Sequence, residues 1–220
     1  MPVLNEAAGI DGALAPLQPL RHAGAELIVV DGGSDDDTLT RAAMACDQTI
    51  VSPRGRARQM NTGASLARAE SLLFLHADTR LPDGALDMVL APLGHGAHWG
   101  RFDVRISGTH PMLRLVARMM NVRSRLTGIA TGDQAIFCRR DVFDAVGGFP
   151  DQALMEDIAL SRALKQLGSP ACLRQRVLTS GRRWETHGVW RTIFLMWRLR
   201  AAYAFGADPA VLARQYGYRP

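Results

Sequence analysis

Lysine is nearly missing from this chain: of its 26 basic residues only Lys165 is not an arginine. Cysteine is scarce as well. Cys46, Cys138 and Cys172 are odd in number and widely spaced, which excludes a disulfide framework and a cysteine-built zinc site. Long apolar runs are absent; near the C-terminus the run Ile193 to Trp197 is far short of the about twenty residues a spanning helix needs. The opening Met1-Pro2-Val3-Leu4-Asn5-Glu6 has neither the basic start nor the apolar stretch of a secretory signal. These absences lead us to expect a reducing, cytoplasmic setting. Neither an internal repeat nor a low-complexity linker interrupts the 220 residues, so one domain is expected.

What is present is an uneven charge. Residues 1–110 hold nine arginines against thirteen acids, whereas residues 111–220 hold seventeen basic residues against eight acids. An arginine-heavy second half suits an anionic partner, although a GC-rich genome also writes arginine for lysine. With no helix-turn-helix, RRM or zinc signature beside it, the basic stretch does not predict nucleic-acid binding.

Hydropathy alternates along the first half. Ala7 to Leu20 predicts a helix interrupted near Pro16 and Pro19. Glu26 to Asp31 predicts a buried strand, Asp36 to Cys46 a helix, Thr49 to Val51 a strand, Arg56 to Arg68 a helix and Ser71 to His76 a third strand. That order argues for βαβ units, a parallel sheet and ligands beyond the carboxyl ends of the strands. A sheet of this kind opens with an apolar strand, yet Met1-Pro2-Val3 stands where such a strand would be ending, so the first strand reads as truncated. Further on, Trp99 to Ile106 and Gln134 to Arg139 predict strands, and Pro111 to Leu126, Glu156 to Leu167 and Val189 to Phe205 predict helices. The last carries Trp190, Ile193, Phe194, Trp197 and Ala201 along one stripe.

Four constellations offer chemistry. Asp31-Gly32-Gly33-Ser34-Asp35-Asp36 joins a strand to a helix, where Gly33 permits a tight turn and the carboxylate of Asp31 can bind a ribose or base; a plain capped turn reads the same way. His76 and Asp78, two apart on the expected strand, face one side and can hold a divalent cation on a diphosphate, or form a core histidine and a turn cap. Glu156 and Asp157 open a helix, as a general base or as capping acids. Arg182-Arg183-Trp184 lies in a run of seven arginines between Arg174 and Arg200 with Glu185 as the single acid, and offers guanidinium groups to a diphosphate beside a flat indole.

Taken in order, Pro2–Glu6, Asp31–Asp36, Gly55-Arg56-Ala57-Arg58-Gln59-Met60-Asn61-Thr62-Gly63-Ala64, Leu75–Thr79, Thr131–Gln134, Gly147–Pro150 and Met155–Asp157 resemble the family-2 glycosyltransferases of GT-A fold, and most of all a compact bacterial subfamily associated with radical-SAM and selenoprotein domains. The resemblance implies an α/β fold: a Rossmann-type mixed sheet flanked by helices, with a nucleotide- and metal-binding half (1–110), an acceptor half (111–188) and an amphipathic helical extension (189–220). It implies a nucleoside-diphosphate sugar, UDP favoured, bound by Glu6, Asp31, Gly33, Arg56, Arg58, Arg183 and Trp184. Mn²⁺ or Mg²⁺ would sit at Asp78, the second acid of an Asp-x-Asp motif whose first acid is His76 here. Asp157, beside Glu156, would deprotonate the acceptor, with Gly132, Asp133 and Gln134 lining the sugar and acceptor site. Arg183-Trp184 resembles the end of a Gln-x-x-Arg-Trp motif, but Ser180 replaces its glutamine, which argues against a processive polymerase. Two alternatives remain: a nucleotidyltransferase, whose glycine-rich basic loop is replaced here by Pro2–Glu6, and a nucleotide-sugar-binding module with a decayed metal site. The C-terminal stripe, flanked by Arg191, Arg198 and Arg200, suits an anionic membrane surface at the inner face, or packing within the domain.

Overall fold

The computed structural model describes residues 1–218. Two sheets organise it. The first is parallel, in the order β1 (Pro2–Val3), β2 (Ile28–Asp31), β3 (Gln48–Val51). Between these strands run α1 (Ile10–Leu14), a 3-10 turn (Ala15–Leu17), α2 (Gln18–His22) and α3 (Thr38–Ala43). Pro16 and Pro19 break the predicted N-terminal helix where expected, because a proline ring cannot continue the helical hydrogen bonds. Helix α4 (Arg56–Leu66) then packs on β2.

The second sheet is mixed: β4 (Ser71–Leu73), β7 (Phe137–Arg139), β6 (Trp99–Ile106), β8 (Ala171–Thr179) and β5 (Thr79–Arg80), in that spatial order. Only β6 and β8 run parallel; β4, β7 and β5 are antiparallel to their neighbours. The remaining helices are α5 (Ala85–Gly94), α6 (Met112–Thr127), α7 (Arg140–Ala145), α8 (Glu156–Leu167), α9 (Arg182–His187), α10 (Val189–Ala204) and α11 (Pro209–Tyr216). A 3-10 turn at Gly132–Gln134 precedes β7.

Two expectations need correction. The third strand does not extend the parallel sheet. It pairs antiparallel with β7, and its ladder stops at Leu73, so His76 and Asp78 lie on the loop that follows rather than on a strand. β1 pairs with β2 over two residues, and β4 takes β7 as its partner instead. An apolar cavity of about 320 Å³, lined by Met1, Ile28, Met60, Leu72, Phe74 and Leu75 among others, lies between β2 and β4. The predicted strand Gln134–Arg139 also shortens to Phe137–Arg139, because Gln134 belongs to the 3-10 turn.

The core forms where the sheets meet the helices. Phe102, Val104 and Phe137 from the second sheet pack with Ile10, Leu14, Leu113 and Val177. A second cluster gathers Phe74, Phe143 and Phe149 with Trp99 and Leu160. Within β6, Gly100 allows close approach: a Cβ there would lie 2.4 Å from the Phe137 ring and 2.5 Å from the Ala171 carbonyl. Arg101 is fully buried and forms an ion pair with Asp103, which also binds Arg125 at 2.8 Å.

Gly100→Ala is therefore expected to destabilise the fold by about 1–3 kcal/mol through overpacking. Gly12→Ala, exposed in α1 with no neighbour within 4 Å of the new methyl, should stabilise it by up to about 1 kcal/mol. Urea unfolding of the two variants beside the parent measures both signs.

Candidate active site

The strand ends and the loops after them converge on one cleft. Asp31 ends β2, and both oxygens of its carboxylate accept from Ser34, the Oδ2 bond from the backbone N–H measuring 3.0 Å. Asn5, held at φ 52°, ties the neighbouring loop in place: its N–H donates to Ser34 Oγ at 2.9 Å and its Oδ1 accepts from Asp35 N–H at 2.9 Å. Glu6 N–H donates to Thr38 Oγ1 at 2.8 Å, which leaves the Glu6 carboxylate to face Arg182 at 4.0 Å. Burial, followed by Asp78 and Asp36, raises the Glu6 pKa against the pull of Arg182. Gly33 supplies φ 83° to the turn with open space around it. Beneath these loops, the buried Gln59 amide donates to the carbonyls of Val3 and Val30, both at 2.8 Å, and so joins the ends of β1 and β2.

Gly55, at φ 136°, lets α4 start abruptly and present Arg56 to the cleft. Burial alone would lower the Arg56 pKa; Glu156, Tyr216, Asp133 and Tyr218 outweigh it and hold the guanidinium charged. Its charge centre stands 5.9 Å from the Tyr218 ring. Arg58 is not brought to this cleft. Two residues further along a helix it points elsewhere, and it pairs with Asp151 on the surface at 2.8 Å.

His76 and Asp78 reach the cleft through a turn closed by Thr79 N–H donating to the His76 carbonyl at 3.1 Å. Asp78 is exposed. The His76 ring lies against the backbone of Gly132, where a Cβ would fall 2.3 Å from its Cε1, so only glycine fits there. Desolvation, helped by the Arg56 charge, drives the His76 pKa down to about 3. The imidazole is therefore neutral at ordinary pH, the form that ligates a metal. Asp133 Oδ1 stands 3.9 Å from His76 Nδ1. Desolvation and then Asp78 push the Asp133 pKa up to about 6.

Met155, at φ 66°, turns the chain into α8 and points Glu156 and Asp157 at the same place. Asp157 Oδ2 accepts from Gly132 N–H at 2.8 Å and Oδ1 from Ile158 N–H at 2.7 Å. Those bonds fix the carboxylate and leave lone pairs for a further partner. Desolvation raises the pKa of both acids; that of Glu156 rises to about 7, with Asp157 adding to the effect.

Three predicted ligands serve the fold instead. Gln134 is fully buried, and its amide donates to the Phe102 carbonyl. Trp184 is half-buried and packs against the main core. Arg183 is held by the Tyr216 carbonyl and stacks 3.6 Å from the Tyr216 ring. Tyr216 and Tyr218 on the α11 side, and Arg123 on α6, were not singled out from the sequence; aromatic residues near the end of a chain and one arginine in an amphipathic helix carry no distinguishing pattern.

Among the described residues no three of His, Cys, Asp and Glu form a ready-made metal cage. The nearby donors, an exposed carboxylate and a neutral imidazole, suit a hard or borderline cation whose remaining ligands are phosphate oxygens and water. The arrangement is a cleft with acids from four separate loops around one arginine.

Comparison with known proteins agrees with this architecture. The model of glycosyl transferase family 2 matches residues 1–147, and the chain belongs to that family. Uncharacterized glycosyltransferases of Mycobacterium tuberculosis and Mycobacterium bovis are 34% identical over 98 residues, which is 44% of this chain and 43% of theirs. The chain thus aligns with less than half the length of these curated relatives. Among solved structures, the mannosyltransferase PcManGT from Pyrobaculum calidifontis, in complex with GDP-Man and Mn²⁺, superposes with a TM-score of 0.66 at 20% identity, covering 98% of this chain and 67% of that one. Glucosyl-3-phosphoglycerate synthase from M. tuberculosis, in complex with Mn²⁺ and UDP-glucose, gives 0.59 at 19% identity over 81% and 67%. These likenesses establish the shared α/β fold, a parallel sheet beside a mixed one with helices around both.

The carboxyl of Glu156 titrates in the neutral range, and the sign of its effect follows. A raised folded-state pKa favours the fold below the ordinary glutamate range, and that contribution is lost as pH rises toward 7. Glu156→Gln should therefore melt several degrees above the parent at pH 8 and close to it at pH 5. An equal difference at both values would show that Glu156 does not titrate in this window.

Proposed function

We propose that the chain is an inverting glycosyltransferase of the compact bacterial type that its motifs resemble, moving a sugar from a nucleoside-diphosphate sugar, UDP favoured, to an acceptor hydroxyl. The observation that carries the reading is the meeting of Asp78, Asp133, Glu156 and Asp157 around Arg56, at the loops where a sheet of this class binds ligands. The family it belongs to supports the chemistry, and solved structures of the same fold hold UDP-glucose or GDP-Man with Mn²⁺.

In this reading Glu6 and the turn Asp31–Gly33 meet the ribose and base. Arg56 neutralises the diphosphate. Asp78 and His76 would hold Mn²⁺ or Mg²⁺, which offsets charge on the leaving diphosphate. Residues 1–110 serve donor and metal, residues 111–188 the acceptor. Asp157 is the base. Its desolvated carboxylate, fixed by two backbone N–H groups, takes the proton of the acceptor hydroxyl as that oxygen bonds to the anomeric carbon. The bond from that carbon to the phosphate oxygen breaks, and the nucleoside diphosphate departs with the electron pair. One displacement suffices, so the anomeric configuration inverts.

We also propose that the enzyme works in the cytoplasm, at an anionic membrane surface. No helix among the described residues is long and apolar enough to cross a membrane. Helix α10 nevertheless leaves Trp190, Phe194 and Trp197 more than half exposed, whereas Ile193, expected on the same stripe, turns into the core. Helix α6 leaves Leu115, Met119, Val122 and Leu126 exposed at helical spacing. Neither helix contains an acid, and each carries at least three arginines. That pairing of apolar side chains with cations suits anionic headgroups.

Two measurements test these readings. Saturating UDP with Mn²⁺ should raise the melting temperature by about 5–10 °C. The rise should be lost in Asp78→Asn and kept in Asp157→Asn, which should lose about 10²- to 10⁴-fold in turnover. No shift with UDP, GDP, CDP or dTDP would sink the donor site, and release of pyrophosphate would point to nucleotidyl transfer instead. Phosphatidylglycerol vesicles should sediment the parent at low salt but not the variant Trp190→Ser/Phe194→Ser/Trp197→Ser. Equal sedimentation of the two would remove α10 as the anchor.

A further inference from the structure

Helix α6 carries four arginines, and three of them are accounted for. Arg114 and Arg118 are exposed, and Arg125 bonds Asp103 at 2.8 Å and the Cys172 carbonyl at 3.1 Å. Arg123 differs. Its Nη1 and Nη2 are both shielded from solvent, and neither has a hydrogen-bond partner among the described residues. Leaving a charged donor shielded and unmatched is costly in a folded protein, so such a group marks a place where a ligand completes the structure.

The surroundings say what kind of ligand. Asp157 is the acid whose charge acts on Arg123, while Arg101 repels it and burial depresses its pKa. Conversely, Arg123 is among the groups that stabilise the Asp157 carboxylate. The two sense each other without forming an ion pair, since the Arg123 guanidinium has no partner and the Asp157 oxygens take backbone N–H groups instead. The Asp157 carboxylate thus acts on a guanidinium whose two terminal nitrogens have no partner among the described residues. The chain explains the placement: α6 ends at Thr127, and the next few residues lead to Gly132, whose N–H holds Asp157.

We infer that Arg123 anchors an oxyanion of the acceptor, a phosphate or a carboxylate, so that a hydroxyl of the same molecule meets Asp157. The planar fork of arginine matches two oxygens of either group. This rests on the reading of Asp157 as the base, and it adds to that reading the chemical class of the acceptor: a hydroxylated anion rather than a neutral sugar. In the proposed function the donor phosphates answer to Arg56, which leaves Arg123 free for the second substrate.

The test uses inorganic phosphate and acetate as probes on the whole protein, with and without saturating UDP and Mn²⁺. Phosphate, or acetate if the natural group is a carboxylate, should raise the melting temperature of the nucleotide-loaded parent. Arg123→Gln should bind the probe at least tenfold more weakly while keeping its UDP shift. Arg123→Lys, with the charge but not the fork, should fall between, and Arg118→Gln should match the parent. Without any probe, Arg123→Gln should melt no lower than the parent, because it removes an unmatched buried charge. Absence of any probe shift in the parent would overturn the inference, as would an equal shift in Arg123→Gln. A large loss of stability in unliganded Arg123→Gln would also overturn it, since the arginine would then be structural. Loss of UDP binding in the parent would strike the donor site alone, because the probe titration without nucleotide still reads Arg123.

Discussion

Gathering carboxylates is the constraint on which this cleft depends. Asp78, Asp133, Glu156 and Asp157 come from two separate turns and a helix N-terminus, and like charges brought close in a desolvated space cannot all ionise without compensation. Arg56 is the compensation the chain itself supplies. Its placement needs the abrupt helix start that Gly55 allows, and its charge lowers the proton affinity of Asp133, Glu156 and Asp157. Desolvation first, and then the neighbouring acids, hold Asp133 and Glu156 above the ordinary carboxylate range in spite of Arg56. A set of acids so placed gains from binding a cation, and this links the electrostatics of the fold to the metal-assisted chemistry proposed for it.

The rigid parts around the cleft are built to hold that unfavourable set in place. Gln59 joins β1 to β2 through two carbonyls, Asn5 and Ser34 stitch the two donor-side loops together, and Gly132 serves two partners at once. Its N–H fixes Asp157 while its missing side chain makes room for His76. A single glycine thus couples the proposed metal side of the cleft to the proposed base. The cleft stays organised although the adjoining parallel sheet is thin, with a two-residue first strand and an apolar cavity at its side.

Much of this was legible in the sequence, and the failures have physical causes. The helices α6, α8 and α10 were readable because their apolar spacing is regular and glycine or proline marks their ends. β8 was not: its middle, Arg174-Gln175-Arg176, is exposed, so the strand lacks the apolar run that announces one. His76 and Asp78 stand on a turn, closed by Thr79 N–H and the His76 carbonyl, rather than on the strand their alternation suggested. Motif membership alone did not separate ligand from scaffold. Arg56 enters the cleft and Arg58 leaves it, although the two stand two residues apart; Gln134 and Trp184 keep the pattern and spend their side chains on the core. Arg123 was invisible because burial, not spacing, distinguishes it from the other arginines of its helix.

The histidine at position 76 shows how a departure from a linear motif is answered in space. Replacing an acid by an imidazole removes one negative charge beside the proposed cation, and desolvation keeps that imidazole neutral rather than repulsive. Asp133, from a distant loop, brings a carboxylate to within 3.9 Å of the same ring. The local count of acids is thereby restored from a different part of the chain. Its proton affinity, raised by desolvation and then by Asp78, falls again once a cation arrives, because a positive ion favours the ionised form. Cation binding and Asp133 ionisation are thus coupled, and the cleft accepts positive charge most readily when Asp133 has given up its proton.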